Sequence, residues 1–159
     1  MTTAQTFKKL QKGFTLIELL VVIGILAVLL AITLIAINPA RQFSQANDTK
    51  RASDVNAILN AVGQYAAENK GALPPGIPVD PNPAAIIGDA LGQADLCDAL
   101  VPQFIAALPV DPLTNNGAPA TDCAVAYNTN YTIVQGANSR ITVSAPATEI
   151  PAVDISVTR

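Results

Sequence analysis

The feature that most constrains this chain of 159 residues is an apolar run near its N-terminus, residues 14–37. Its only charged residue is Glu18, and its only other polar side chains are Thr15 and Thr33. As an α-helix the run would be about 36 Å long, enough to cross a hydrocarbon core of about 30 Å. A helix in a soluble core would carry a polar stripe, which this run lacks. The run therefore predicts a membrane-spanning helix.

A removable signal peptide is the alternative interpretation, since a basic leader precedes the run. The run is longer than a signal-peptide core, contains a carboxylate near its start and is followed by no small-residue cleavage site. Lys8, Lys9 and Lys12 precede it, whereas Arg41 alone follows it closely. This asymmetry predicts an anchor with its N-terminus in the cytoplasm and the rest of the chain exported.

The composition argues against an enzyme. The chain has no histidine, two cysteines and only 4% aromatic residues, so the usual imidazole acid, base or metal ligand is missing. From residue 71 onward, the sequence contains eight acidic residues but only two basic residues, Arg140 and Arg159. Such a charge balance does not favour a nucleic-acid partner, although a local patch at Arg140 stays open.

Residues 12–22, KGFTLIELLVV, closely resemble the prepilin leader of type IV pilins and of the pseudopilins of type II secretion. The resemblance is strong over residues 8–37, fades through about Pro74 and is generic beyond. It implies that a prepilin peptidase cleaves after Gly13, that Phe14 becomes the N-methylated new N-terminus, and that residues 1–13 are a removed leader. In this family the embedded helix often contains a glycine and a proline, whereas here Gly24 is the run's only glycine and no proline precedes Pro39.

Cleavage before Phe14 would give Glu18 a partner. An α-amino group ordinarily has a pKa of about 8, so the new N-terminus is an ammonium at neutral pH. Glu18 lies four residues further along, so the two differ in height by about 6 Å. The cation of a docking subunit can then meet Glu18 of a neighbour slightly higher, and we expect Glu18 to set subunit register during assembly. The alternative is that Glu18 merely reaches the lipid headgroups.

The rest of the chain predicts an α+β fold, with a long N-terminal helix packed on a small antiparallel sheet, as the pilin family also implies. Val55, Ile58, Leu59, Val62, Tyr65 and Ala66 form an apolar stripe at helical spacing, opposite Lys50, Asp54 and Gln64. We expect an amphipathic stalk helix over residues 38–71, in which Asn38-Pro39 marks either a kink or a restart.

Residues 72–159 form the predicted head. Its prolines at residues 74–83 predict an extended connector, residues 84–108 predict short helical pieces, and alternation at residues 131–134, 141–144 and 153–157 predicts three antiparallel strands. Residues 135–139 are a predicted hairpin loop.

Two sets of head residues are candidate sites. Cys97 and Cys123 would lie outside the cytoplasm, where disulfides persist; two unpaired core cysteines are the alternative. Four residues with oxygen side chains form a weak calcium candidate, because the same residues are ordinary turn formers: Asp111, Asn115, Asn116 and Asp122. We expect no other cofactor.

The expected function is that of a structural subunit of a type IV pilus-like filament, polymerised through its N-terminal helix. A pseudopilin that drives protein export is the first alternative. It is supported by residues 108–112, LPVDP, which resemble a segment of major pseudopilins. A minor pilin for adhesion or DNA uptake is the second. The expected partners are the prepilin peptidase, other copies and related pilins, an inner-membrane assembly platform and membrane lipid. The precursor would lie in the inner membrane, and the mature form in a surface pilus or a periplasmic pseudopilus.

Overall fold

The computed structural model describes residues 13–150 and 154–159. The chain divides into two compact units, one ending at Ala40 and the other running from Arg41 to Arg159. Two sequence-based predictions fall outside the described residues: the leader before Gly13 with its three lysines, and Val153 of the last predicted strand.

The first unit contains helix α1, Leu16–Ile37. Thr15 is its N-cap, and Asn38 ends it in the left-handed region at φ 46°. None of its residues is buried, and each of its leucines, isoleucines and valines is more than half exposed. With 22 residues and a mean hydropathy of 3.2, α1 is long and apolar enough to cross a membrane.

The second helix, α2, covers Pro39–Glu68. It begins directly after Asn38, so the Asn38-Pro39 dipeptide is a restart between two helices. The predicted amphipathic helix is confirmed, because Val55, Ile58, Leu59 and Val62 are all buried. At its end Gly71 has φ 89°, and its backbone nitrogen donates to the Ala66 carbonyl at 2.7 Å.

Four antiparallel strands form one sheet in the order β1-β2-β3-β4. They are β1 Ala85–Gly88, β2 Asn128–Gln135, β3 Ile141–Ala145 and β4 Ile155–Thr158. The last three match the predicted strands. The fourth strand, β1, lies where short helical pieces were predicted, and it pairs with β2 through Ala85↔Ile133 and Ile86↔Thr132. A four-residue apolar run without alternation cannot be told from a piece of helix by its pattern.

The core lies between α2 and one face of the sheet. From β2 to β4, the core contains six buried residues that pack with the α2 stripe: Tyr131, Ile133, Ile141, Val143, Ala145 and Ile155. Ile87, Leu96, Leu100 and Leu108 complete the cluster from β1 and from the segment between β1 and β2. The head of the structure is thus the whole second unit, Arg41–Arg159, in which α2 and the sheet form one α+β, pilin-like fold, as the sequence predicted.

A disulfide joins Cys97 to Cys123, whose Cα atoms are 5.5 Å apart. Cys97 begins the short helix α3, Cys97–Leu100, and Cys123 lies in the loop that leads to β2. The bond closes a long segment without much regular structure onto the core. Both cysteines of the chain are used, and the unpaired alternative does not apply in this structure.

We expect the Cys97→Ser, Cys123→Ser double variant to lower the free energy of unfolding by about 3–4 kcal/mol, because the unfolded chain regains the entropy of a 26-residue loop. Urea unfolding of the detergent-solubilised full chain, followed by near-ultraviolet circular dichroism, measures the change. Reductant should bring the wild-type protein to the level of the variant and leave the variant unaffected. Equal midpoints for the oxidised wild type and the variant would contradict the prediction.

Candidate functional site

The predicted processing site lies in a short exposed segment before α1. Gly13, Phe14 and Thr15 belong to no helix or strand, and Phe14 is 84% exposed. Thr15 has extended backbone angles, φ −80° and ψ 153°. Both residues of the Gly13–Phe14 bond are therefore exposed and lie outside any helix or strand.

Glu18 forms a capping box with Thr15 at the start of α1. Its Oε2 accepts hydrogen bonds from the Thr15 backbone nitrogen at 2.8 Å and from Thr15 Oγ1 at 2.7 Å. In return, the Glu18 backbone nitrogen donates to Thr15 Oγ1 at 3.3 Å. These bonds satisfy helix N–H groups that lack intrahelical partners, and the helix dipole favours a negative charge here. The Thr15-x-x-Glu18 spacing in the sequence is the pattern of a capping box. Glu18 was predicted to have a role in subunit register, and this capping role was not predicted.

Arg51 is the largest fully buried side chain of the head and the centre of an ionic cluster. Its Nε and Nη2 donate to the two oxygens of Asp111 at 2.6 and 3.1 Å. Its Nη1 donates to Asp48 at 2.8 Å and to Glu149 at 3.1 Å. The hydrogen bonds to Asp111 and Asp48 outweigh the effect of burial and raise the pKa of Arg51 further. Arg51 therefore joins α2 to two loops that are distant in sequence.

Asp48 holds the second of these loops by its backbone. Its two oxygens accept from the Glu149 nitrogen at 3.1 Å and from the Ile150 nitrogen at 3.0 Å. Asn47 adds a 2.6 Å hydrogen bond to the Glu149 carboxylate. The segment that follows β3 is thus fixed to the first half of α2.

The prediction that Asp54 lies on the outer, solvated face of α2 is wrong. Asp54 is only 9% exposed, and its Oδ2 accepts from Tyr131 Oη at 2.8 Å and from Lys50 Nζ at 2.6 Å. Burial and the Asp54 hydrogen bond raise the pKa of Tyr131. A buried carboxylate is tolerated here because a hydroxyl and an ammonium satisfy it.

The four calcium candidates make different contacts in the structure. Asp111 is 1% exposed, and both of its oxygens bind Arg51. Asn115 and Asn116 lie in a 3₁₀ turn, Asn115–Gly117, and Asp122 Oδ1 accepts from the Ala124 nitrogen at 2.9 Å. Within the described ranges, no three His, Cys, Asp or Glu side chains are arranged to hold a metal ion. Calcium binding stays an untested prediction, with Asp111 already engaged by a cation.

A cavity of about 640 Å³ opens between the loops that flank α3 and β2. Asp89 and Asp122 are its acidic lining residues, and Asn115, Val125 and Tyr127 also line it. No sequence pattern indicates this cavity, because it forms only where segments around residues 90 and 120 meet.

We expect Asp48 to make the head sensitive to acid. Burial by itself raises the pKa of Asp48, but hydrogen bonds from the Glu149 nitrogen, from Arg51 and from the Ile150 nitrogen together hold it below its usual value. The folded pKa is thus below that of an unfolded aspartate, about 4, so this stabilisation is complete above pH 4 and is lost as the pH falls through the folded value.

The measurement is the urea midpoint of the full chain in detergent between pH 2 and pH 7. Asp48→Asn should be less stable at pH 7 and should lose less stability on acidification. Asp98→Asn, at an exposed carboxylate of α3, is the matched control and should parallel the wild type. An Asp48→Asn profile parallel to that of the wild type would refute the prediction.

Comparisons with known proteins support a family assignment for the N-terminal part of the chain. Residues 8–34 match the family model described as the prokaryotic N-terminal methylation motif. The type IV major pilin protein PilE1 of Neisseria gonorrhoeae is 44% identical over 81 residues, which are 51% of this chain and 34% of that protein. The match therefore spans about a third of the relative's length, and no solved structure matches significantly. The motif and this identity show that the N-terminal part of the chain is similar to type IV pilins.

Proposed function

We propose that this chain is the precursor of a structural subunit of a type IV pilus-like filament, which is cleaved after Gly13 and polymerises through α1. The observation that carries the proposal is an apolar helix of 22 residues with no buried residue, most of which lies within the methylation motif. Soluble monomers rarely expose an apolar surface of this extent, and such a surface marks a site of contact with a membrane or with another protein.

Lipid and neighbouring subunits would cover α1 in turn. Before assembly the hydrocarbon core of the inner membrane surrounds the helix, and its N-terminus faces the cytoplasm. When a subunit leaves the membrane, its apolar surface remains out of water only if the α1 helices of other copies pack around it. Polymerisation through α1 thus replaces lipid contacts by protein contacts, and an inner-membrane platform would drive the transfer.

Glu18 would guide this step. The capping box holds its carboxylate beside the Thr15 nitrogen, one residue from the Phe14 ammonium that cleavage creates. The Phe14 ammonium of an incoming copy can approach the same carboxylate from the neighbouring helix. Two charges that meet in a low-dielectric environment offset part of the desolvation that either would suffer alone. Methylation of Phe14 keeps the positive charge.

We expect Glu18→Ala and Glu18→Gln to be cleaved normally but to give few or no filaments. Glutamine can still form a capping box, so its failure to assemble would separate the charge from the cap. The measurement is the ratio of processed protein in sheared filaments to processed protein in membranes. Thr33→Ala, at a hydroxyl that bonds only the Leu30 carbonyl within its own helix, is the control and should assemble normally.

Normal filament yield for both Glu18 variants would refute the role of Glu18. Normal yield for Glu18→Gln alone would reduce that role to helix capping. Absence of filaments from the wild-type chain, expressed with its assembly machinery, would refute the proposed function itself.

A pseudopilin of a type II secretion system is the second candidate. The observation that favours it is the LPVDP segment at residues 108–112, whose Asp111 is the bidentate partner of Arg51. Deletion of the gene that encodes this chain distinguishes the pilin from the pseudopilin. Loss of surface filaments with intact secretion favours the pilin, whereas accumulation of secreted proteins in the periplasm favours the pseudopilin.

A further inference from the structure

The cavity lies at one end of the sheet. Asp89 directly follows Gly88, the last residue of β1, and Asn128 is the first residue of β2; both Asp89 and Asn128 line the cavity. Gly88 and Asn128 are paired, so the end of β1 and the start of β2 meet here. The opening is therefore fixed to the sheet frame and does not depend on a free loop tip alone.

The lining gives this end a negative charge. Asp89 Oδ1 accepts from the Tyr127 nitrogen at 3.0 Å, and Asp122 Oδ1 accepts from the Ala124 nitrogen at 2.9 Å. These hydrogen bonds fix the orientation of each carboxylate through Oδ1, and Oδ2 takes no part in them. No lysine or arginine is among the lining residues, all of which are described. A cation would enter this cavity more favourably than an anion.

The hairpin between β2 and β3 lies at the other end of the sheet. It is closed by a 2.7 Å hydrogen bond from the Gly136 nitrogen to the Arg140 carbonyl, and residues 137–140 are exposed. The guanidinium of Arg140 forms no ion pair with the part of the chain that the structure describes. Since β2 has eight residues at about 3.3 Å each, the hairpin and the cavity are separated by roughly 23 Å along the strand.

We propose that the hairpin of one copy docks in the cavity of the next copy, with Arg140 against Asp89 and Asp122. The small side chains before Arg140, Gly136, Ala137 and Ser139, leave the loop narrow enough to enter a cavity of about 640 Å³. Val125, which is 61% exposed on the cavity lining, would be covered by the incoming loop. The occupant is a second copy of this chain.

The placement of the two surfaces determines the type of assembly. They are different patches at opposite ends of one sheet, so between copies that share one orientation in a filament the contact is heterologous and leaves a free hairpin and a free cavity after each addition. A heterologous contact that does not close into a ring produces an open helical array. The inference rests on the proposed filament function and names the contact between heads that α1 packing alone does not provide.

Site-specific photocrosslinking in whole cells tests the contact. A photoreactive amino acid replaces the exposed Ser139 in the full chain, and mass spectrometry identifies the crosslinked peptide. We expect a product of two copies in which position 139 is joined to the cavity segments at residues 89–93 or 114–128. The same amino acid at the exposed Gln64 of α2 is the control and should not reach these segments.

Charge reversal provides a second measurement. Arg140→Asp and Asp122→Arg should each reduce both the crosslink and the filament yield by about tenfold or more, because like charges then face each other. The combined variant should recover most of both. Lys70→Asp makes the same charge change at an exposed lysine outside the hairpin and should behave as wild type.

The two readouts separate this inference from the proposed function. Filaments without the crosslink to the cavity, with a crosslink to another protein, or with unchanged yield in both single variants overturn the docking proposal and leave the filament function standing. The expected crosslink in cells that make no filament upholds the contact and refutes the filament function. Absence of both refutes both.

Discussion

The head depends on the ionic contacts of one buried side chain, Arg51. Asp48, Arg51 and Asp54 follow one another at intervals of three residues, so they form a polar row on α2 beside its apolar stripe. Arg51 binds Asp111 and Glu149, and Asp48 binds the backbone that follows β3. Removal of the arginine would leave uncompensated carboxylates in the interior, a change that costs about 3–5 kcal/mol for a buried pair. The polar row fixes where the loops lie, while the apolar stripe provides most of the burial.

The helix α1 has the opposite relation to its surroundings. No residue of α1 is buried, whereas α2 buries one side, including its apolar stripe, in the core of the head. The head forms its own core, but α1 needs a partner from outside the chain. Lipid can provide it for a precursor, and other copies can provide it for a filament, so the same surface fits both stages. The incomplete burial of one unit is the physical reason why the proposed function is assembly.

Long periodic segments could be predicted from the sequence, and contacts between distant segments could not. The apolar run predicted α1, helical spacing predicted α2, and alternation predicted β2, β3 and β4. Strand β1 was missed because four apolar residues have no diagnostic period. A charged residue on a helix is normally solvated, so Asp54 was assigned to the outside and Arg51 was overlooked; their partners Tyr131 and Asp111 lie far away in sequence. Asp111 was interpreted as a calcium candidate because its partner Arg51 is also distant in sequence. The Thr15–Glu18 capping box, in contrast, could have been predicted from its spacing.

A processed subunit of this kind has a mature form that begins at the apolar helix. Mass spectrometry of the N-terminal peptide, from protein recovered in filaments sheared off the cell surface, tests it most directly. We expect a peptide that begins with N-methylated Phe14. A chain that retains Met1, or one that is cut beyond Ile37 and has lost α1, would contradict the claim.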